Sequence, residues 1–281
     1  MQPTGNPDLE TTVERPSLRL HVEHYLALSQ PHLALVMVHG FSAHCGLYRH
    51  IGHALAKQGI IVTQYDARGH GRSDGRRGHV DDFGDYVDDL AAVVAWSRAQ
   101  NPDLPWAVLG HSMGSAVALA LVLDSSRNLR PRRMALAAPW LKLKMKVSAP
   151  KRAAANVMAR VMPTLTMSNG LVAKSVSRNP LVHENFHRDP LVHHVASAGW
   201  FMAVLRAQAK IRQAAARLDV PTLMLLAGED RIVVNEANLA FASAAGSMVA
   251  VHTYAGLFHE LFLEPEADTV VADIAAWLLR A

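Results

Sequence analysis

The stretch LGHSMGSAVAL, residues 109–119, places a serine between two glycines, after an apolar run and before a run of small and apolar residues. Residues 106–109 are typical of a short buried strand, and residues 115–123 are typical of a buried helix. Ser112 therefore lies on a strand-to-helix turn of the pattern G-x-S-x-G, in which Gly110 and Gly114 let strand and helix approach closely. Such a turn presents a hydroxyl beside the first N–H groups of a helix, where a developing negative charge is stabilised. We interpret Ser112 as a nucleophile; the alternative is that it only caps the helix.

The composition is that of a packed globular protein. The chain has 281 residues, of which 50% are hydrophobic and 19% charged, and this suits one large α/β domain or two small ones. Its single cysteine, Cys45, excludes an intramolecular disulfide, and the first ten residues lack the basic and apolar parts of a signal peptide. No apolar run is long enough to cross a bilayer. We therefore expect a cytoplasmic protein that at most lies on a membrane surface.

Strand-like apolar runs alternate with helical patterns along most of the chain, which predicts a mostly parallel sheet covered by helices on both faces. The predicted strands are 32–38, 60–65, 106–109, 134–138, 222–226 and 248–253. The predicted helices are 48–57, 86–100, 115–123, 236–244 and 268–279. Residues 17–28 alternate polar with apolar side chains and predict an added antiparallel edge.

The alternation fails between residue 139 and about residue 206, where helical fragments and loops replace any clear strand. We interpret this segment as an insertion over the carboxyl edge of the sheet, where open α/β sheets bind ligands. The predicted fold class is therefore α/β, with a first core part at 1–138, a mainly helical cap at 139–206 and a second core part at 207–281.

A serine hydroxyl becomes a good nucleophile when an imidazole accepts its proton and a carboxylate orients that imidazole. Asp230 lies just past the predicted strand 222–226, and His259 lies in the loop after the next predicted strand. We expect these two residues to complete a triad with Ser112, and Glu229 is the alternative acid. The backbone N–H groups of Phe41, which follows the strand 32–38, and of Met113 are predicted to form the oxyanion hole.

Positive charge is concentrated in one part of the chain. Residues 125–183 carry twelve Lys or Arg and no Asp or Glu, although the net charge of the whole chain is only +4. Within this segment, WLKLKMKV at 140–147 alternates apolar and basic residues, and apolar residues at 154, 157, 158, 161 and 162 recur at helical spacing until Pro163. Both patterns predict contact with an anionic membrane surface; the alternative is that the apolar faces cover the active-site pocket. The segment lacks interleaved aromatic residues and any nucleic-acid motif, so no nucleic-acid partner is expected.

No cofactor and no metal are expected. The histidines form only loose groupings without the spacing of a metal site: His21 with His24, and His187 with His193 and His194. Cys45 is interpreted as a small packing residue near the predicted oxyanion loop, because no acid–base partner for a nucleophilic thiol is identifiable.

Five motifs follow one another along the chain: HGFSAHCGLY, DARGHGRSDG, GHSMG, GEDRIV and FHELFLE. In this order they resemble the monoacylglycerol lipase and lysophospholipase branch of the α/β-hydrolases, over about residue 33 to the C-terminus. The resemblance implies a mobile cap over an acyl pocket, and the segment DPLV at 189–192 resembles an element of that cap. The cap residues 140–179 match no pattern of the family. Arg68 and His70, in the second motif, are interpreted as residues that brace loops rather than contact substrate.

The sequence therefore predicts a serine hydrolase that cleaves fatty-acid esters through an acyl-enzyme, and the resemblance implies monoacylglycerols as substrates. The alternatives are a lysophospholipase, a small-ester carboxylesterase, an amidase or peptidase of the proline iminopeptidase kind, and a non-catalytic ligand-binding protein. Three catalytic groups in the order of the α/β-hydrolases, Ser112, Asp230 and His259, argue against the last. Epoxide hydrolases and dehalogenases are disfavoured, because those relatives place Asp where Ser112 stands.

Overall fold

The computed structural model describes residues 5–144 and 149–280, apart from the side chains of residues 149–154. Ten strands occur in this part of the chain: β1 (Leu9–Arg15), β2 (Leu18–Tyr25), β3 (Leu33–Val38), β4 (Ile60–Tyr65), β5 (Trp106–His111), β6 (Arg133–Ala137), β7 (Thr166–Ser168), β8 (Val195–Ser197), β9 (Thr222–Ala227) and β10 (Val249–Tyr254). Eight of them form one sheet in the spatial order β1-β2-β4-β3-β5-β6-β9-β10, whereas β7 and β8 pair with each other.

The six strands from β4 to β10 in this spatial order run parallel. Every residue of β3, β4, β5 and β9 is buried. Burial on both faces explains their continuous apolar sequences, since helices cover each side of a parallel sheet. All six predicted strands are confirmed, each to within two residues at either end.

The antiparallel part of the sheet differs from the prediction in one respect. The alternating segment 17–28 contains β2, which pairs antiparallel with β4, as expected. It is not the edge, however, because β1 pairs antiparallel with its other side. The sequence of β1, LETTVER, buries only Val13 and is otherwise exposed or half-buried. An edge strand with so little apolar surface gives a weak period-2 signal, so the sequence pattern does not predict β1.

Nine helices occur in the described residues: α1 (Arg49–Ala56), α2 (Gly84–Gln100), α3 (Met113–Leu123), α4 (Ala149–Val161), α5 (Ala173–Val176), α6 (Pro180–Asn185), α7 (Ala198–Gln213), α8 (Asn235–Ala245) and α9 (Ala267–Leu278). Two buried clusters show that α1 and α9 cover one face of the sheet and α2 and α3 the other. None of the helices in the described part of the chain has the length and hydropathy that crossing a bilayer requires.

The predicted cap segment, residues 139–206, adds no strand to the main sheet in its described part. It contains α4, α5, α6, the small β7–β8 sheet and the beginning of α7, which packs against α4. The predicted boundary at residue 206 lies inside α7, because this helix continues to Gln213 and buries Gln208 and Ile211. This helix therefore continues from the predicted cap segment into the second predicted core part.

Candidate active site

Ser112 lies on the sharp turn between β5 and α3, as its sequence motif predicts. Its backbone has φ 51° and ψ −113°, a strained conformation for a residue other than glycine. The two flanking glycines are required by close approach: a Cβ on Gly110 would lie 2.6 Å from the backbone of Ser115, and one on Gly114 would lie 2.2 Å from the carbonyl of Val38. The Ser112 side chain makes no helix-capping hydrogen bond, so the capping alternative is not what the structure shows.

Three side chains predicted from distant parts of the sequence meet at this turn. The Ser112 hydroxyl donates to Nε2 of His259 at 2.9 Å, and Nδ1–H of His259 donates to Oδ2 of Asp230 at 2.8 Å. The other carboxylate oxygen of Asp230 accepts the backbone N–H groups of Ile232 and Val233 at 2.8 and 2.9 Å. Glu229, the alternative acid, is exposed. The hydrogen-bonded carboxylate is therefore that of Asp230.

Charge pairing dominates the electrostatics of these buried groups. Burial by itself would lower the pKa of His259, but the negative charge and hydrogen bond of Asp230 outweigh it and raise this pKa above its ordinary value. Burial likewise would raise the pKa of Asp230, but His259 and the two backbone N–H groups lower it. The pair therefore favours an ionised carboxylate that stabilises an imidazolium, which is the state required while a histidine holds the proton of a serine.

The predicted oxyanion residues lie on either side of Ser112. Met113 is the first residue of α3, where N–H groups lack an intrahelical acceptor. The loop after β3 lies against the nucleophile turn, since a Cβ on Gly40 would be 3.2 Å from Cβ of Ser112. The ring of the next residue, Phe41, is stacked on Trp200 of α7 with their centroids 3.8 Å apart. This stacking restrains the segment whose N–H is predicted to face the substrate oxyanion.

Ser112 and His259 line a cavity of about 1150 Å³ between the sheet edge and the predicted cap segment. Its wall is mainly apolar and is formed by residues of both regions: Phe41, Trp140, Leu143, Met158, Leu171, Val176, Val182, Phe186, Trp200, Phe201 and Ile232. Polar side chains such as Asn179 and Glu260 also line the cavity, but most of its exposed wall is apolar, and it is large enough to accept a long hydrocarbon chain.

Polar contacts, called here the cap–core contacts, join the predicted cap segment to the sheet side of the cavity. His44 and Asp189 pair at 2.9 Å, and Asn169 donates to the Ser42 hydroxyl at 2.8 Å. Glu264, five residues after His259, accepts hydrogen bonds from the Ser177 hydroxyl and from Arg178, and it also accepts the N–H of Phe258. The loop that carries His259 is thus attached to the cap segment.

Most of these contact residues were not found from the sequence. Asp189 belongs to the DPLV element, whereas its partner His44 has no sequence signal that marks it as a contact residue. Ser42 has a left-handed backbone conformation, with φ 67°. Neither an apolar period nor a local motif predicts this conformation. Glu264 could have been suspected, because it lies in the FHELFLE motif and is an acid among apolar residues. Its partners lie 86 and 87 residues away, so the pairing itself has no local signal.

Arg68 and His70 act on loop structure. The Arg68 guanidinium pairs with Asp89 at 2.6 Å and with Asp85 at 3.3 Å, both on α2. The Nδ1 of His70 is 2.9 Å from the carbonyl of Arg68. Neither residue contributes to the cavity wall, which agrees with the interpretation that they brace the loop.

One group of side chains in the described residues has donor atoms close enough to suggest a metal: His21, Glu23 and Cys45, whose ligating atoms lie within 4.8 Å of one another. The Glu23 carboxylate, however, already accepts hydrogen bonds from Arg49 and Tyr25. Burial raises the pKa of the Cys45 thiol, which opposes the thiolate a metal needs. We therefore assign Glu23 to a buried ion pair with Arg49 and do not assign this cluster as a metal site.

The chain is similar to several known proteins. It matches the family described as Hydrolase_4, serine aminopeptidase S33, over residues 29–266. It is 33% identical over 253 residues to a monoacylglycerol lipase of Mycolicibacterium smegmatis, with 89% of each chain covered. It is 31% identical over 243 residues to phospholipase YtpA of Bacillus subtilis, covering 86% of this chain and 93% of the relative. The crystal structure of a monoacylglycerol lipase of Paleococcus ferrophilus has 26% identity and a TM-score of 0.80, covering 92% of this chain and 98% of the other.

These matches confirm three predictions: the resemblance read from the five motifs, the α/β-hydrolase fold, and the class of enzyme, a serine ester hydrolase. They extend over the nucleophile turn, the predicted cap segment and the loops of Asp230 and His259 alike. The chain therefore belongs to the serine aminopeptidase S33 (Hydrolase_4) family of α/β-hydrolases.

Proposed function

We propose that this protein hydrolyses fatty-acid esters with Ser112 as nucleophile, His259 as general base and acid, and Asp230 as the carboxylate that orients His259. One observation carries the proposal: the relay from Asp230 through His259 to Ser112 opens into an apolar cavity of about 1150 Å³. A binding protein has no need of a hydroxyl activated in this way, whereas ester cleavage requires it.

The proposed reaction has two steps. Ser112 Oγ attacks the ester carbonyl carbon while its proton moves to Nε2 of His259, and the N–H groups of Phe41 and Met113 stabilise the oxyanion. The C–O bond to the alcohol then breaks, His259 donates its proton to the departing alkoxide, and the alcohol leaves while the acyl group stays on Ser112 Oγ as an acyl-enzyme. In the second step a water molecule gives a proton to His259 and attacks the acyl carbon; the bond to Ser112 Oγ then breaks, His259 returns the proton to Oγ, and the fatty acid leaves.

The substrate class that fits best is a monoacylglycerol. An apolar wall favours a long acyl chain, because each buried methylene contributes about 0.8 kcal/mol. Residues 139–206 serve in this proposal as a cap that covers the chain. The named activities of the similar proteins, monoacylglycerol lipase in two and phospholipase in one, support a lipid ester and leave the lysophospholipase as the second candidate.

The test combines labelling with a substrate panel. A fluorophosphonate should label the protein at Ser112, and Ser112→Ala should abolish labelling. The turnover rates of the unmodified protein should then be measured and compared for monoacylglycerols, lysophospholipids, short-chain esters and aminoacyl amides. Fastest turnover of long-chain monoacylglycerols supports the proposal. Preference for lysophospholipids, for short esters or for aminoacyl amides would replace it by the corresponding alternative, and no turnover of any would leave a ligand-binding protein.

We further propose that the predicted cap segment contacts membrane surfaces. Seven of its large apolar side chains are exposed, between 42% and 70%: Val157, Val161, Met162, Leu165, Met167, Val172 and Leu181. In α4 the apolar pattern is divided, since Met158 lines the cavity while Val157 and Val161 face solvent. Exposed apolar side chains of this size support an interfacial role.

Part of the positive charge of residues 125–183 is neutralised by ion pairs, so less of it is free to attract anionic lipid than the sequence suggests. Several basic residues of 125–183 pair with acids from outside that segment: Arg127 with Asp88 and Asp124, Arg130 with Asp219, and Arg178 with Glu264 and Glu266. Of the predicted extended pattern, Lys142 and Lys144 are exposed on either side of half-buried Leu143, which forms an isolated bridge with Val233, and residues 145–147 lie outside the described residues. Since the Lys144 ammonium donates to the carbonyl of Asp230, Lys144 is unsuitable for a charge test.

Vesicle binding separates the apolar and the electrostatic parts. The variant Val157→Ser/Val161→Ser should lose cosedimentation with vesicles, while the control Leu26→Ser/Leu28→Ser, with similar exposure but outside the cap segment, should not. The exposed pair Arg160→Glu/Lys174→Glu should weaken binding to vesicles containing phosphatidylglycerol more than to neutral vesicles. Equal binding by all three variants and the unmodified protein, or no binding by the unmodified protein, would overturn membrane contact through this segment and leave it as a cavity cover.

A further inference from the structure

Glu260, the residue directly after His259, carries a buried carboxyl group that the proposed reaction does not use. Its side chain is 9% exposed and contributes to the cavity wall. Its Oε2 accepts a hydrogen bond from the Tyr48 hydroxyl at 3.1 Å, whereas its Oε1 has no hydrogen-bond partner in the described structure. A carboxyl with a single hydrogen bond and little water is poorly solvated, so its charge acts strongly on its neighbours.

The neighbour nearest to the unpaired oxygen is His111, whose Nε2 is 3.4 Å from Oε1 and 3.3 Å from the backbone carbonyl of His259. The His111 ring also lies 5.4 Å from the His259 ring, measured between centroids. Burial lowers the pKa of His111 to about 3, so this imidazole is neutral and does not compensate the carboxylate.

The remaining titratable groups around Glu260 also leave its charge uncompensated. No lysine or arginine of the described chain pairs with Glu260, and Glu264 is itself neutralised by Arg178. The groups that face Glu260 are Tyr48 before α1, His111 on β5, Asp230 after β9, and His259 and Glu264 on its own loop. Of these, His259 is the one that gains a positive charge during ester cleavage.

We propose that Glu260 is a positioning residue of the active site: a second carboxylate that stabilises the imidazolium of His259 by charge, beside Asp230, which holds it by a hydrogen bond. The inference rests on the proposed roles of Ser112 and His259. Glu260 touches neither the Ser112 hydroxyl nor Nδ1 of His259, so it acts on the basicity of the imidazole and holds the loop through Tyr48.

Because Glu260 changes its protonation near neutral pH, its effect on His259 should be measurable in a pH profile. Burial raises the pKa of Glu260 to about 7, against the lowering effect of His259 and Tyr48. In turn, the Glu260 charge is one of the influences that raise the pKa of His259. Each group therefore affects the protonation of the other. Removing the carboxylate should make His259 a weaker base that stays unprotonated to lower pH.

The test is the pH profile of kcat/KM between pH 5 and 9 for a short soluble ester, with the isosteric Glu260→Gln. We expect its acid limb to move down by about half a pH unit or more. At alkaline pH its plateau should fall, because a weaker base accepts the Ser112 proton less readily. Glu229→Gln is the matched control: it removes an exposed carboxylate from the loop of Asp230 and should leave the limb in place.

Two further variants keep the test decisive if Glu260→Gln folds poorly. Tyr48→Phe removes the hydrogen bond that favours ionised Glu260, so it should move the limb in the same direction by less. Glu260→Asp retains a carboxylate and should hold the limb near that of the unmodified protein. A uniform fall of the whole profile without a shift, in whichever of these variants folds, or an upward shift on loss of the carboxylate, would overturn the proposal.

A second readout separates this inference from the proposed function. The rate at which a fluorophosphonate labels Ser112 depends on His259 but on no choice of natural substrate. A shifted labelling profile in Glu260→Gln supports the role of Glu260 even if the substrate panel contradicts lipid ester cleavage. An unshifted labelling profile overturns the role of Glu260 alone, whereas absent labelling at Ser112 overturns the proposed function and this inference with it.

Discussion

The parallel core and the predicted cap segment are ordered by different forces. In the core, β3, β4, β5 and β9 are buried along their whole length between two layers of helices. In the cap segment, α5, α6, β7 and β8 are only three to six residues long, and large apolar side chains remain exposed. Short elements cannot bury enough apolar surface to fix themselves. The cap–core contacts around Ser42, His44 and Glu264 therefore supply much of what positions this segment.

The largest effect is expected in the core, at the nucleophile. Ser112→Ala should leave the protein folded but lower ester turnover by on the order of a thousandfold or more, because the triad acts as a unit. His259→Ala should behave similarly. Asp230→Asn should also be severe, since it leaves His259 without its anionic partner, and the exposed Glu229→Gln should be mild. Steady-state kinetics on purified protein check this ranking, and a reversed order for the two acids would exchange their roles.

The next effect contrasts a glycine of the core with one of the cap segment. A Cβ at Gly114 would lie 2.2 Å from the backbone carbonyl of Val38, so Gly114→Ala should cost about 3 kcal/mol or more of unfolding free energy. Gly170 has φ 71° and open space around it, so Gly170→Ala should cost only the backbone strain, about 1–2 kcal/mol. Urea denaturation compares them. Equal losses would mean that the two regions are equally well packed.

An intermediate effect is expected at Glu264, where the two regions meet. Burial alone would raise its pKa, but hydrogen bonds from Ser177, Arg178 and Phe258 lower it from 4.5. A carboxyl with a lower pKa when folded stabilises the protein above its unfolded pKa, and this contribution is lost as pH falls through the folded value. Glu264→Gln should therefore cost about 1–3 kcal/mol at pH 7 and progressively less from pH 5 to pH 3.

Thermal unfolding across this pH range measures that difference. Glu266→Gln is its control, because Glu266 also pairs with Arg178 but is 45% exposed, and its effect should be small at every pH. A constant difference between Glu264→Gln and the unmodified protein from pH 7 to pH 3 would argue that the Glu264 charge contributes nothing to the attachment of the cap segment.

The smallest effect is expected from chelators and reductants. The proposed reaction uses no metal, and the His21, Glu23 and Cys45 cluster is not assigned as a metal site. Turnover should therefore survive EDTA and dithiothreitol, and Cys45→Ser should remain active. The opposite result would be that EDTA lowers turnover, that added Zn²⁺ restores it, and that Zn²⁺ no longer restores turnover in Cys45→Ser. That result would make this cluster a metal site.

The predictability of the fold follows the same division between core and cap segment. Strands such as β4 and β9 have continuous apolar sequences, so their bounds could be predicted to within a residue or two. The edge strand β1 could not, because its exposed residues carry no periodic signal. The apolar spacing of α4 predicts a helix but not which side faces the cavity: Met158 lines it, whereas Val157 and Val161 face solvent.

Local sequence patterns were enough to predict the parallel sheet, the turn at Ser112 and the loops that carry Asp230 and His259, because burial, glycine requirements and strand ends leave such patterns. Three pairings could be read only from the three-dimensional arrangement: Asp230 rather than Glu229 with His259, Glu264 with Ser177 and Arg178, and Oε1 of Glu260 beside His111. Such partners are tens to more than a hundred residues apart, and a carboxylate that finds a partner looks the same in sequence as one that faces water. Their pairing follows from which loops the topology brings to one edge of the sheet, and no local period records that.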